Sequence, residues 1–336
     1  MEDNGENDQK KFFSVILISY RHDDFVLDTL KSIKFQSYDP SKFELIIICK
    51  SDNNLKTIID QLSFKCHVRL LINDDFRIGQ KFLEALKMTR SKWIVVLDDD
   101  DMWIPEKLDT LNELISQYPK AVYIHNDKYV VNEQFHYTYN SLHQIKKTNR
   151  FSPTSGDSII RNFKDNCEHN GSSIAFSKTI VCGRSNSLRI LEGSLDTFLF
   201  VSAIETGGSI ICIKNKLTLF RVTSKNNLNE STKRLINNLK RQMQSYEVIR
   251  NIKLTNPFTR WFIDWRILYN RLKINLIEDT TKSRQDRFEF FMESIRNKFF
   301  RSKEGFYFEF FFILQFINNG AAKYTYMLAK KILSKH

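Results

Sequence analysis

Trp93-Ile94-Val95-Val96-Leu97-Asp98-Asp99-Asp100-Asp101-Met102-Trp103-Ile104-Pro105 is the stretch around which the rest of the chain can be read. Trp93 to Leu97 is a short apolar run, rich in β-branched residues and bounded by charge on both sides. That is the pattern of a strand buried on both faces of an α/β sheet. Four consecutive carboxylates close it. Ligands of open α/β sheets bind beyond the carboxyl ends of the strands, so the acids stand where a site is expected.

Adjacent aspartates repel one another unless water, hydrogen-bond donors or a cation draw the charge off. Hard oxygen ligands at this spacing suit Mg2+ or Mn2+, which takes one or two protein carboxylates and fills its sphere with substrate phosphates. In an extended segment Asp98 and Asp100 share one face, which makes them the candidate metal pair. A second reading fits the run alone equally well: a solvated acidic turn capping the next helix, with Pro105 in its first turn.

Strand and helix alternate on both sides of this stretch. Phe12 to Ser19 is an apolar run, Tyr20 to Asp24 a turn with Asp23 or Asp24 as N-cap, and Phe25, Leu27, Leu30 and Ile33 mark an amphipathic helix. Glu44 to Cys49 reads as a second strand, followed by a turn through Asp52 and a helix ending near Leu62. Val68 to Ile72 is a third strand, and Gly79 to Met88 a third helix. Beyond the acids, Leu108, Leu111, Leu114 and Ile115 share a helical face that ends at Tyr118-Pro119. Ala121 to Ile124 then forms a strand, followed by His125, read as a structural hydrogen-bonder. Residues 132–166 carry no clear period and read either as a loop over substrate or as a surface insertion. A helix from Asp196 to Gly207, with Ser194 or Asp196 as cap, precedes two closing strands, Ser209 to Lys214 and Leu217 to Val222. Repeated βαβ units imply an α/β fold with a mainly parallel sheet flanked by helices.

Leu97-Asp98-Asp99-Asp100-Asp101-Met102-Trp103-Ile104-Pro105-Glu106-Lys107-Leu108 resembles the metal-binding segment of family 2 glycosyltransferases, inverting enzymes of the GT-A fold. The resemblance implies that Asp98 and Asp100 hold Mn2+ or Mg2+ and that Asp98 and Asp99 lie against the nucleotide sugar. It also makes Ser19 and Tyr20, at the end of the first strand, candidate nucleotide contacts. Where the family usually ends its second strand in two acids, one of them a partner of the base, this chain has Cys49 and Lys50; the nearest carboxylate is Asp52. Only Gly79 remains of the family's Gly-rich turn, and the Arg-Asn pair falls on Phe82 and Leu83. Arg77 either meets a base or phosphate in its place or faces solvent. Asn170 to Phe176 resembles the strand before the acceptor site. The family's Glu-Asp pair, whose Asp is the catalytic base, corresponds to Leu195-Asp196, with Gly207 closing the helix at the family's spacing; Asp196 is thus either base or helix cap.

The chain has 336 residues, with 51 Lys+Arg against 39 Asp+Glu. Residues 233–336 hold 21 of the basic and 9 of the acidic residues, which leaves 30 of each in the first 232. The whole basic excess is C-terminal, as expected where a protein meets an anionic partner. That region is helical in pattern and rich in aromatics, at Arg260 to Arg266 and at Phe306 to Ile317. The latter run is too short to span a bilayer, though it suits a helix lying in the membrane interface or the core of a helical subdomain. Five dispersed cysteines without a Cys-x-x-Cys pair suggest reduced thiols and a cytoplasmic location, and the basic, aromatic C-terminal region suggests a peripheral place at the inner face of the membrane. The expected organisation is a disordered tail at 1–11, a GT-A domain at 12–225 and a basic helical region at 226–336. The expected activity is sugar transfer from a UDP- or GDP-sugar to a glycan or lipid-linked acceptor, with no nucleic-acid partner. The alternative is a non-catalytic GT-A scaffold that binds a membrane or another anionic partner through its C-terminal region.

Overall fold

The computed structural model describes residues 12–19, 25–51, 55–138, 167–222 and 232–278. Tyr20, Asp52, the N-terminal tail, the run at 306–317 and nearly all of the weakly patterned 132–166 segment lie outside them.

The elements in chain order are β1 (Phe13–Ser19), α1 (Phe25–Lys34), β2 (Phe43–Cys49), α2 (Leu55–Leu62), β3 (His67–Ile72), α3 (Ile78–Met88), β4 (Trp93–Asp98), β5 (Met102–Trp103), α4 (Lys107–Gln117), β6 (Ala121–Asn132), β7 (Ile174–Ser177), α5 (Ser185–Arg189), α6 (Leu195–Thr206), β8 (Ser209–Val222), α7 (Thr232–Arg250) and α8 (Pro257–Glu278). The chain divides into two units: Met1–Leu191 with Leu195–Val222, and Glu192–Ser194 with Thr223–His336.

The first unit is the expected α/β layer structure. Its eight strands run in the order β3-β2-β1-β4-β7-β6-β8-β5. β3, β2, β1 and β4 are mutually parallel, while β7 and β5 pair antiparallel with their neighbours. Every residue of β1 and β2 is buried, as is β4 up to Leu97, which explains their mostly apolar sequences; the polar Ser14 and Glu44 pair with each other at 2.6 Å. Each buried apolar side chain contributes roughly 1.5–3 kcal/mol by leaving water. The register aligns Ser19 with Cys49 and Ile18 with Asp98, so the carboxyl ends of three strands meet along one edge.

Two expectations about element length change. β6 runs on to Asn132 because it pairs in parallel with β8 along its length. β8 is one strand, not two: Lys214-Asn215-Lys216, which reads as a break, is an irregularity where Ile213 pairs Asn126 and Lys216 pairs Asp127. The cysteine expectation is corrected as well. Cys167 and Cys212, 45 residues apart, form a disulfide, so the cysteines give no argument for a reducing compartment. Sequence spacing hides this pair because both halves meet at β6: Cys212 pairs with His125, and the Cys167 carbonyl accepts the Tyr123 hydroxyl at 2.7 Å.

In the second unit α7 and α8 pack through Leu239, Ile274 and Ile277. An ion pair joins Arg250 Nε to Asp264 Oδ1 at 2.8 Å. Phe262 and Trp265 are buried, so these aromatics of the Arg260–Arg266 stretch serve as core and do not form an open face. Among the described residues no helix is long and apolar enough to cross a membrane.

Candidate functional site

The four aspartates do not stay extended. Asp101 N–H donates to Asp98 O at 3.4 Å, closing a turn that β5 follows directly. The alternate-residue argument for a shared face of Asp98 and Asp100 therefore does not apply, because it presumed a strand. The capping reading falls too: α4 begins at Lys107, with Glu106 before it, and β5 separates the acids from that helix.

Hydrogen-bond partners from four directions hold the turn. Ser19 Oγ, at the end of β1, donates to Asp99 Oδ2 at 3.1 Å. Thr29 Oγ1 on α1 donates to Asp101 O at 2.7 Å. Asp98 N–H donates to Ser172 Oγ at 3.0 Å. Arg221 on β8 donates its backbone N–H to Asp101 Oδ1 at 2.9 Å and its Nε–H to Asp100 O at 3.0 Å. A Cβ on Gly171 would stand 3.4 Å from Asp98 Oδ2, in van der Waals contact with the carboxylate.

The electrostatics follow from crowding. Burial, then the charges of Asp101, Asp100, Asp99 and Asp196, push the Asp98 carboxyl well above the usual range. Asp101 is pushed up to about 7 by burial and by Asp100, against the Ser172 hydroxyl and the Arg221 N–H. A cluster of carboxylates that raise one another favours a proton or a cation. Among the described residues no three ligating side chains are grouped as a complete metal cage. The donor set fits Mg2+ or Mn2+ in its usual mode, one or two carboxylates with the remaining ligands from water and phosphate.

The same effects locate Asp196. It sits inside the first turn of α6, not at its cap, and its Oδ1 accepts the Thr197 N–H at 2.8 Å. Burial first and the Asp196 charge among the lesser causes raise Asp98 and Tyr123, while burial lowers Lys128 against the charges of Asp101, Asp127 and Asp196. Ser19 and Asp98 to Asp101 thus meet at one turn, and the charge of Asp196 is felt at Asp98. Arg77 is engaged nearby in sequence: its Nε donates to Asp75 Oδ1 at 2.9 Å, and this pairing holds the Asp75 carboxyl down to about 2.

Cys49 and Lys50 take different roles. Cys49 is buried, with its thiol directed at Leu71 O, while Lys50 is exposed. His125 is the expected structural hydrogen-bonder, joined through Nε2 to His169 O at 2.8 Å and pushed down to about 4 by burial.

Several residues escaped the sequence reading. Lys107 is fully buried, donates to Ser172 O at 2.6 Å and to Thr218 Oγ1 at 3.1 Å, and lies 4.6 Å from the Trp103 ring centre. Ser172 O also accepts Trp103 Nε1–H at 2.9 Å, so one carbonyl joins β5 and α4 to the Gly171–Ser173 turn. Arg221 was read only as part of a closing strand. Its one legible signal is a lone charge between Phe220 and Val222.

The model of the family described as Glycosyl transferase family 2 matches residues 14–179. An uncharacterized glycosyltransferase of Haemophilus influenzae is 28% identical over 127 residues, 37% of this chain and 42% of that protein. The chain thus aligns with less than half the length of that relative. The crystal structure of S. aureus TarS 1–349 is similar over 85% of this chain and 80% of its own, with TM-score 0.56 and 14% identity. Its complex with UDP-GlcNAc gives TM-score 0.57 at 14% identity, covering 84% and 79%. The mannosyltransferase PcManGT of Pyrobaculum calidifontis, in complex with GDP-Man and Mn2+, covers 95% of this chain and 84% of its own at TM-score 0.53 and 13% identity. At these identities the structural likeness establishes the GT-A fold.

Proposed function

We propose that this chain, whose residues 14–179 match the model of glycosyl transferase family 2, is a glycosyltransferase that moves a sugar from a nucleoside-diphosphate donor to an acceptor hydroxyl, with inversion at the anomeric carbon. The observation that carries this reading is the acidic turn at the carboxyl edge of β1 and β4, with Asp196 held within reach of its charge. Asp98 and Asp100 would hold Mn2+ or Mg2+. When bound, that ion supplies positive charge to the leaving diphosphate. Ser19 steadies Asp99, and Asp99 faces the donor. Asp196 takes the proton from the acceptor hydroxyl as it attacks the face opposite the departing diphosphate.

The donor is a UDP- or GDP-sugar; proteins of this fold have been crystallised with UDP-GlcNAc and with GDP-Man. The acceptor is a glycan or lipid-linked hydroxyl, and the basic excess of residues 233–336 supports a cytoplasmic enzyme with a peripheral contact at an anionic membrane surface. The burial of Cys49 and exposure of Lys50, where the family carries acids, favour the second reading, a scaffold that no longer binds nucleotide.

Calorimetric titration with UDP, GDP and their sugar conjugates, in Mn2+ and then in EDTA, separates the two. We expect metal-dependent binding of one nucleotide by the wild type and its loss in Asp100→Ala. Absence of binding under every condition would select the scaffold reading.

A further inference from the structure

Arg221 stands out among the charged residues of the sheet because no part of it is exposed. A guanidinium stays charged at any accessible pH, so its burial demands partners for its donors. The structure supplies them from three segments. Nε–H reaches Asp100 O at 3.0 Å within the acidic turn. Nη2 reaches Asp28 Oδ2 on α1 at 3.3 Å, and Asp28 is itself buried. Nη1 reaches Phe135 O at 2.6 Å and Glu133 O at 3.2 Å, just past the end of β6. The plane stacks over Phe25, whose ring centre is 4.3 Å from Cζ. In addition the Arg221 backbone N–H is bonded to Asp101 Oδ1 at 2.9 Å.

One rigid fork therefore ties the acidic turn to α1 and to the chain after β6. It takes hold of the turn through the Asp100 carbonyl and Asp101. Thr29 Oγ1, bonded to Asp101 O at 2.7 Å, acts in the same direction from α1. We propose that Arg221 is a positioning residue that sets the backbone of the Asp98–Asp101 turn and so the readiness of its carboxylates for a divalent ion. The assignment rests on the donor-site reading given above. Lysine cannot replace it: an ammonium on a flexible stem is a point charge and lacks the planar fork that spans these acceptors at once. Residues that orient ligands from behind typically change metal affinity or activity about 10–100-fold when altered.

The test uses the full-length protein and the variants Arg221→Lys, Arg221→Met and Thr29→Val. Mn2+ alone is titrated by electron paramagnetic resonance, and UDP and GDP binding is measured across a Mn2+ series, with melting temperature and far-UV circular dichroism recorded for each variant. Arg221→Lys and Arg221→Met should raise the Mn2+ midpoint about 10–100-fold. Nucleotide affinity should recover at saturating Mn2+, and Thr29→Val should shift the midpoint less, in the same direction. A purely structural residue would lower the melting temperature and the fraction of binding-competent protein while leaving the midpoint unchanged; that outcome in any folded variant overturns the proposal. If Arg221→Met does not fold, the other two variants decide. A wild type that binds neither Mn2+ nor nucleotide overturns the donor-site reading and this assignment with it, whereas an unshifted midpoint beside normal wild-type binding overturns this assignment alone.

Discussion

Single side chains carry both the chemistry and its support, and they differ in how visible they are in the sequence. Asp196 is recognisable through its spacing to Gly207, and the fold places it in the first turn of α6 with its charge felt at Asp98. Asp196→Asn keeps size and hydrogen bonding but removes the base. Sugar transfer should fall about 10²–10⁴-fold while calorimetric donor binding persists; an unchanged rate would show that Asp196 is not the base. His125 was equally legible as structural, and its burial has a consequence for pH. Its imidazole is pushed from 6.5 down to about 4, so it is neutral in the folded protein. Below about pH 6.5 the unfolded chain takes up a proton that the folded one refuses, so stability is lost as pH falls toward 4. In denaturant titrations, wild type should lose up to about 3 kcal/mol relative to His125→Gln over that interval, at 1.36 kcal/mol per unit. Parallel pH profiles for the two proteins would sink the idea. Arg221, Lys107 and Ser172 were not legible, because a charge or hydroxyl in a sequence does not reveal that its partners lie 46 to 193 residues away.

At the scale of elements, burial on both faces made β1, β2 and β4 the easiest to find. Their apolar runs admit little else at that length. α6 is harder. Leu195 and every residue from Thr197 to Ile204 are buried, so no polar stripe gives it a period, and only Asp196 and the closing glycines mark its ends. α1 misleads in the opposite way: Asp28, Thr29 and Ser32 are buried beside Leu30 and Ile33, because Thr29 bonds to the acidic turn, Asp28 accepts from Arg221 and Ser32 donates back to Thr29 O. Gly79 resembles a family turn glycine, yet its role here is close packing. A Cβ on it would lie 1.8 Å from Leu188 O and 2.8 Å from Leu191 Cβ, and its own N–H donates to Leu191 O at 2.9 Å. Gly79→Ala must push α3 away from α5, at a cost of about 3 kcal/mol, the upper end for overpacking. Chemical denaturation should show a lower midpoint with an unchanged slope; wild-type stability would mean that the two helices separate freely.

Over the whole molecule, charge divides where the contact structure divides. The basic excess belongs to residues 233–336, while the first 232 residues are balanced. Each Lys or Arg near an anionic bilayer contributes on the order of 1 kcal/mol, and salt screens that attraction. The full-length protein should sediment with phosphatidylcholine vesicles that contain phosphatidylglycerol, not with phosphatidylcholine alone, and should release in high salt. Equal partitioning to both vesicle types, or binding indifferent to salt, would remove the electrostatic membrane contact. The burial of Phe262 and Trp265 limits what the aromatics of α8 can add to it.

The residue order determined the α/β class, the place of the acidic run and the resemblance to glycosyl transferase family 2 that the match over residues 14–179 supports, because hydrophobic period and a contiguous motif are local properties of the chain. Tertiary structure decided the rest. It decided between an extended segment and a turn for the four aspartates, carried β8 through a polar interruption, joined Cys167 to Cys212 and surrounded Arg221 with acceptors from α1, the turn and the end of β6. Each depends on atoms distant in sequence meeting under burial, where an unpaired polar group costs more than local propensity can recover.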